Sequence, residues 1–228
     1  INCIICDNFF ENPILGAQYY KLPQNTTGNN PLIIQESGSN LELTNVCLLG
    51  RATFTSGTVV NEASRFAVQL DSTTPITTGT ILKINSCFID GFSQPIEFLS
   101  IGGTNDILEI QNSKIRSHGY LNADATANSN NCIINMNDNN ATLVGNYLFG
   151  NHSLFKSILN INNVIGTTPN IQARSKILIA ANDYAIDKTS GTNITPTIVT
   201  IDSGISGSID SRATILAYGN SFQNTYGF

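Results

Sequence analysis

Apolar and polar residues alternate along much of this chain. "LELTNVCLLG" (Leu41–Gly50), "ILKINSCFIDG" (Ile81–Gly91) and "LEIQNSKIRSHG" (Leu108–Gly119) share one design. Each runs apolar-x-apolar and then breaks at an asparagine, before a second short apolar run. A period of two predicts a half-buried strand, and no helical period persists across ten residues anywhere in the chain.

The asparagines recur as Asn8, Asn45, Asn85, Asn112, Asn146, Asn182 and Asn220, at intervals of 37, 40, 27, 34, 36 and 38. The positions two before, four before and two after each anchor form three apolar columns, broken only at Lys83, Thr142 and Lys114. A third β-rich run stands between successive units: "PLIIQES", "RFAVQLD", "PIEFLSI", "CIINMND", "SILNINN" and "TIVTIDS". Asn163, in "NINNVIG", belongs to this third run. Self-similarity at such a period marks a solenoid, with the length variation carried by loops.

One coil then reads strand, asparagine bend, strand, loop, strand, loop. Strands of successive coils lie parallel, about 4.8 Å apart. Asparagine suits the bend because it tolerates the left-handed backbone region better than any residue but glycine. Its amide can also bond to the amide one rung away, so a column of stacked asparagines satisfies its own buried polar groups. All seven anchors are expected in that one inward ladder. Cys47 and Cys87 share an offset and are expected to stack, as free thiols or as a disulfide. Tyr19 and Tyr20 read as a loop. No Asn-Gly or Asp-Gly hairpin joins two matched strands, which argues against a propeller or a sandwich.

The anchors with their flanking apolar columns resemble the right-handed parallel β-helix superfamily, the pectin-lyase-like fold, over Ile4 to Phe222. The resemblance implies an all-β chain: a right-handed solenoid of about seven coils of three short strands, one domain over residues 1–228. That superfamily includes polysaccharide lyases, polygalacturonases, phage tailspikes and bacterial surface adhesins. In character the chain is closest to the viral and phage spikes and the adhesins.

Composition narrows the function without choosing it. Apolar residues make up 41% and charged residues only 12% of the 228, so a packed core is expected under a surface of Asn, Thr, Ser and Gly. The net charge of −5 argues against nucleic acid, which needs a basic stripe. No apolar run reaches the ~18 residues of a membrane span. Five cysteines (Cys3, Cys6, Cys47, Cys87 and Cys132) make neither a disulfide framework nor a zinc site, and no cofactor is implied.

Candidate chemistry is sparse. "SHG" (Ser117–Gly119) and "RSK" (Arg174–Lys176) are fragments of a polygalacturonase-like set without its paired aspartates. One constellation remains: His118 and His152 each lie six residues after an anchor, with Asp90 and Asp187 one position earlier in other coils. Imidazole beside carboxylate suits general acid–base work, and equally suits a solvated polar edge. There is no Trp and there are seven Tyr, which gives few platforms for sugar. Sequons stand at Asn25, Asn140, Asn151 and Asn193.

Two functions stay open. One is a structural or adhesive module of a virion fibre, spike or cell-surface protein, extracellular and without catalysis. The other is a polysaccharide lyase or glycoside hydrolase working in a groove along the solenoid. Expected partners are further copies of the chain, flanking domains or subunits, and glycans. Neither end carries an amphipathic helix or a charged cap. The chain is therefore expected to be an excerpt whose first rung is covered by protein.

Overall fold

The computed structural model describes residues 2–6, 19–21, 31–50, 54–55, 58–59, 66–71, 79–92, 94–99, 106–118, 132–137, 140–151, 157–162, 176–187, 197–202 and 214–224. The first turn is β1 (Asn2–Cys6), β2 (Tyr19–Lys21) and β3 (Ile33–Glu36). The second is β4 (Asn40–Thr44), β5 (Cys47–Leu49) and β8 (Val68–Asp71), and a short antiparallel pair, β6 (Phe54–Thr55) and β7 (Thr58–Val59), stands between its last two strands. The third is β9 (Ile81–Asn85), β10 (Phe88–Phe92) and β11 (Ile96–Phe98). The fourth is β12 (Ile107–Gln111), β13 (Lys114–His118) and β14 (Cys132–Asn137). The fifth is β15 (Asn140–Val144), β16 (Tyr147–Asn151) and β17 (Ser157–Asn162). The sixth is β18 (Lys176–Ala180), β19 (Asp183–Asp187) and β20 (Thr197–Asp202), and a seventh holds β21 (Thr214–Tyr218) and β22 (Ser221–Asn224).

The turns stack. Sheet A runs β1-β4-β9-β12-β15-β18-β21, sheet B runs β2-β5-β10-β13-β16-β19-β22, and sheet C runs β3-β8-β11-β14-β17-β20. Every pairing within these three sheets is parallel. The protein is therefore an all-β parallel β-helix, with six complete turns and a seventh of two described strands rather than seven full coils. The six β-rich runs of the third kind are the strands of sheet C. Tyr19 and Tyr20, expected in a loop, pair with Cys47 and Leu48 as part of sheet B.

The core follows from the alternation. In sheet A, Leu41, Leu82, Leu108, Ala141 and Ile177 share one register column, and Leu43, Ile84, Ile110, Leu143 and Ile179 another. All ten are buried. Leu48, Ile89, Ile115, Leu148 and Tyr184 continue the buried interior in sheet B, and Val68, Ile96, Ile134 and Leu159 in sheet C. Fully burying one such side chain contributes about 1.5–3 kcal/mol. Stacking like on like repeats that gain at each rung. The same register explains Lys83: it faces outward between Glu42 and Glu109, and its ammonium lies 3.4 Å from the Glu109 carboxylate.

Candidate functional site

The corner between sheets A and B is where the asparagines were expected to stack, and the structure divides them among three adjacent columns. The last strand position holds Thr44, Asn85, Gln111, Val144, Ala180 and Tyr218. The next position is the bend: Asn45, Ser86, Asn112, Gly145, Ala181 and Gly219, all with φ between 51° and 69°. The third position turns inward and holds Val46, Cys87, Ser113, Asn146, Asn182 and Asn220. The single ladder of seven is thus corrected. Asn45 and Asn112 are bend residues, and Asn85 is a half-buried strand end. Asn146, Asn182 and Asn220 form the inward ladder, and Asn8 lies outside the described residues.

The corner chemistry explains the split. A left-handed residue supplies the bend, and its N–H still reaches the carbonyl of the next rung, as Asn112 N does to Val144 O at 3.0 Å. The inward residue's N–H is then left without a backbone partner, so a side chain of the next rung accepts it. Cys87 N donates to Ser113 Oγ at 3.0 Å, Ser113 N to Asn146 Oδ1 at 2.9 Å, and Asn146 N to Asn182 Oδ1 at 3.0 Å. Asn182 N donates to Asn220 Oδ1 at 3.0 Å. The amide nitrogens reach back to carbonyls one rung below: Asn146 to Ile110, Asn182 to Leu143 and Asn220 to Ile179, at 2.8–2.9 Å. The Cys87 thiol does the same at 3.4 Å to Leu43 O. Serine is shorter, and Ser113 Oγ donates to Gln111 O of its own rung instead.

The ladder register also removes the exceptions to the apolar columns. Counted from the inward position, the residues three and five before it and two after it are apolar in every described rung. The bend inserts one residue and shifts the phase, which a strict period of two across the corner misses. The same shift separates the two thiols: Cys47 is in register with Phe88, and Cys87 follows Val46. Both are free and buried, so no disulfide joins them. Burial, then the nearby Asp90 carboxylate and Cys87, push the Cys47 thiol up to about 11. Burial also raises the Cys87 thiol, against opposing backbone hydrogen bonds from Val46, Asn85 and Asn45.

The histidine constellation divides in the same way. His118 is in register with Asn151, and Asn151 with Asp187, while His152 lies outside the described residues. Asp90 stands in register with Leu49. Its carboxylate takes a 2.5 Å hydrogen bond from the Arg116 guanidinium, with both side chains mostly buried. A bulge at Gly91 (φ 83°) offsets the strand beyond it, so that Phe92 pairs with Ser117.

Two groupings were not singled out from the sequence. The outer face of sheet B carries Phe88, Lys114 and Tyr147 in one register row. The Lys114 ammonium lies 6.0 Å from the Phe88 ring and 5.2 Å from the Tyr147 ring. Arg116 lies over Phe88 at 5.7 Å, and Tyr147 and Phe149 have nearly parallel rings 6.4 Å apart. The other grouping is a row on sheet C: Gln69, Glu97, Asn135 and Asn160. The buried Glu97 carboxylate accepts amide N–H groups from Gln69 at 2.8 Å, Gln94 at 3.2 Å and Asn135 at 3.5 Å. Asn160 donates to Asn135 Oδ1 at 3.0 Å. The signal of this row in the sequence is a polar residue directly after Val68, Ile96, Ile134 and Leu159, which share one register column. Among the described residues, no three His, Cys, Asp or Glu side chains converge as a metal-binding group.

Set against known proteins, the chain matches no family model, no curated protein and no solved structure.

Proposed function

We propose that the chain is a structural or adhesive β-helix module of an extracellular assembly, a virion fibre or spike or a cell-surface protein, and that it is not a catalyst. The observation that carries this reading is where the polar side chains are spent. Ser113, Asn146, Asn182 and Asn220 tie one rung to the next, and Glu97 is held by three amides. Asp90, the candidate acid, is committed to Arg116 across one rung. A polar group engaged in rung-to-rung bonding stiffens a rod and is not free to exchange protons with a substrate. The likeness to spikes and adhesins of the pectin-lyase-like superfamily supports the reading at the level of fold alone. The adhesive part draws on the outer face of sheet B, where Phe88, Tyr147 and Phe149 with Lys114 offer aromatic and cationic contacts of the kind glycans use.

The alternative, a polysaccharide lyase or glycoside hydrolase, draws on the row His118, Asn151 and Asp187, which puts a histidine and an aspartate two rungs apart at one register position. Incubation of the chain with acidic and with neutral polysaccharides separates the two. The structural reading expects no new reducing ends and no unsaturated products. Products that vanish in His118→Ala would replace it with the enzyme.

A further inference from the structure

On the outer face of sheet B, opposite charges stand on either side of an aromatic centre. Phe88, Lys114, Tyr147 and Asp183 hold one register position on β10, β13, β16 and β19. Lys114 and Asp183 are exposed. Tyr147 lies between them, with the nearly parallel ring of Phe149 beside it. Each charge is thus one rung, about 4.8 Å, from the tyrosine. Among the described residues neither has an oppositely charged partner. The Lys114 ammonium lies over the Phe88 and Tyr147 rings, and the Asp183 carboxylate accepts a hydrogen bond from the Ser221 hydroxyl. The other cation of this face, Arg116, is already paired with Asp90.

Turned end for end about an axis along β16, this column is its own complement. Tyr147 meets Tyr147 of a second copy, Lys114 meets its Asp183, and Asp183 meets its Lys114. The opposite-charge contact is made twice, around an aromatic centre to which Phe149 adds from the neighbouring column. The other twofold arrangement of two such faces has its axis along the solenoid and sets each rung against the same rung of the copy. It brings the Lys114 rungs together and the Asp183 rungs together, like charge against like, which disfavours it. An acidic glycan on this column would meet Asp183 as well as Lys114, whereas a second copy uses both charges.

We propose that two copies of the chain pair through the outer faces of sheet B, their solenoids antiparallel, on a twofold axis that passes between the two Tyr147 residues. The pairing rests on the structural reading above and supplies its mode of assembly. The same patch serves on both copies, so the contact is isologous and closes on itself. The product is a dimer and not a growing rod.

The test uses the 228-residue chain and two single variants. Sedimentation of the unmodified chain across a wide concentration range should show a monomer–dimer equilibrium and nothing larger. Lys114→Asp and Asp183→Lys each set like charges against one another, and each should raise the dissociation constant by roughly tenfold or more. Both positions are exposed, so the β-sheet circular dichroism should persist. Mixed in equal amounts, the two variants should pair with each other about as tightly as the unmodified chain, because one brings two acids and the other two bases. A monomer at every concentration, a dimer unchanged in either variant, or a mixture that stays monomeric would each overturn the pairing. A monomer that binds a glycan through Lys114 loses the dimer and keeps the adhesive reading, whereas polysaccharide cleavage removes the structural reading itself.

Discussion

Replacing Asn182 by leucine isolates the contribution of the corner ladder. Asn182 is 0% exposed, and its side chain makes four bonds across rungs, one of them from Nδ2 to Asn220 Oδ1 at 3.1 Å. Its Oδ1 accepts the Asn146 backbone N–H and side-chain amide, both at 3.0 Å, and its Nδ2 donates to Leu143 O at 2.8 Å. Leucine fills similar space but leaves two buried backbone groups without that partner. Each such orphan costs about 1–3 kcal/mol, and the added apolar burial returns part of this, so Asn182→Leu should destabilise by roughly 2–4 kcal/mol. For a chain of this size that is about 5–15 °C in the melting temperature. Asn182→Ser keeps an acceptor for the Asn146 N–H, as Ser113 does for Cys87, and should lose roughly half as much. Asn85→Leu is the control. Asn85 is half-buried, and among the described residues its Oδ1 accepts only from Ser86 Oγ at 3.3 Å and Asn112 Nδ2 at 3.5 Å, so its loss should stay under about 1 kcal/mol. Thermal unfolding followed by far-ultraviolet circular dichroism reads all three. If Asn85→Leu costs as much as Asn182→Leu, the division of the asparagines among columns is wrong.

Gly91→Ala should destabilise by about 1–3 kcal/mol, because its φ is 83° and a Cβ there would lie 2.7 Å from Gly50 O; urea unfolding measures it. The Cys47 thiol is raised from 9.0 to about 11 in the folded chain, so folding favours its protonated form. Its contribution is complete below pH 9 and is lost as pH climbs towards about 11, and a melting-temperature profile over that range should flatten in Cys47→Ala. With both Cys47 and Cys87 raised, iodoacetamide at pH 8 should label neither until the chain is unfolded, which peptide mass mapping checks.

The strands and their order were legible because alternation, bend and repeat are local in sequence. Sheet C could be located outright from runs such as CIINMN and SILNIN. The corner was harder to read. Asparagine does two separate jobs there, bend and ladder, in neighbouring columns, and either job passes to other residues. Gly145, Gly219, Ser86 and Ala181 take the bend, while Ser113 and Cys87 take the ladder. Lining up asparagines therefore mixed the columns and left Lys83, Thr142 and Lys114 as misfits. In the first turn only the strand of sheet B was misplaced: Tyr19 and Tyr20 read as a loop, and they form β2. The ion pair of Asp90 with Arg116 follows from the register Phe88–Lys114 and Ile89–Ile115, which lining up Asn85 with Asn112 hid by one residue.

Cross-linking decides the register directly. Lys83 and Glu109 face outward as direct register partners on adjacent rungs, a separation that a disulfide spans. If Asn85 and Asn112 shared a column instead, Lys83 would pair with Ile110. The double variant Lys83→Cys/Glu109→Cys should oxidise readily to an intramolecular disulfide, detected by mass mapping after alkylation of the remaining thiols. Lys83→Cys/Ile110→Cys should stay reduced, because Ile110 points into the core. A disulfide in the second variant and none in the first would contradict the ladder on which the whole account stands.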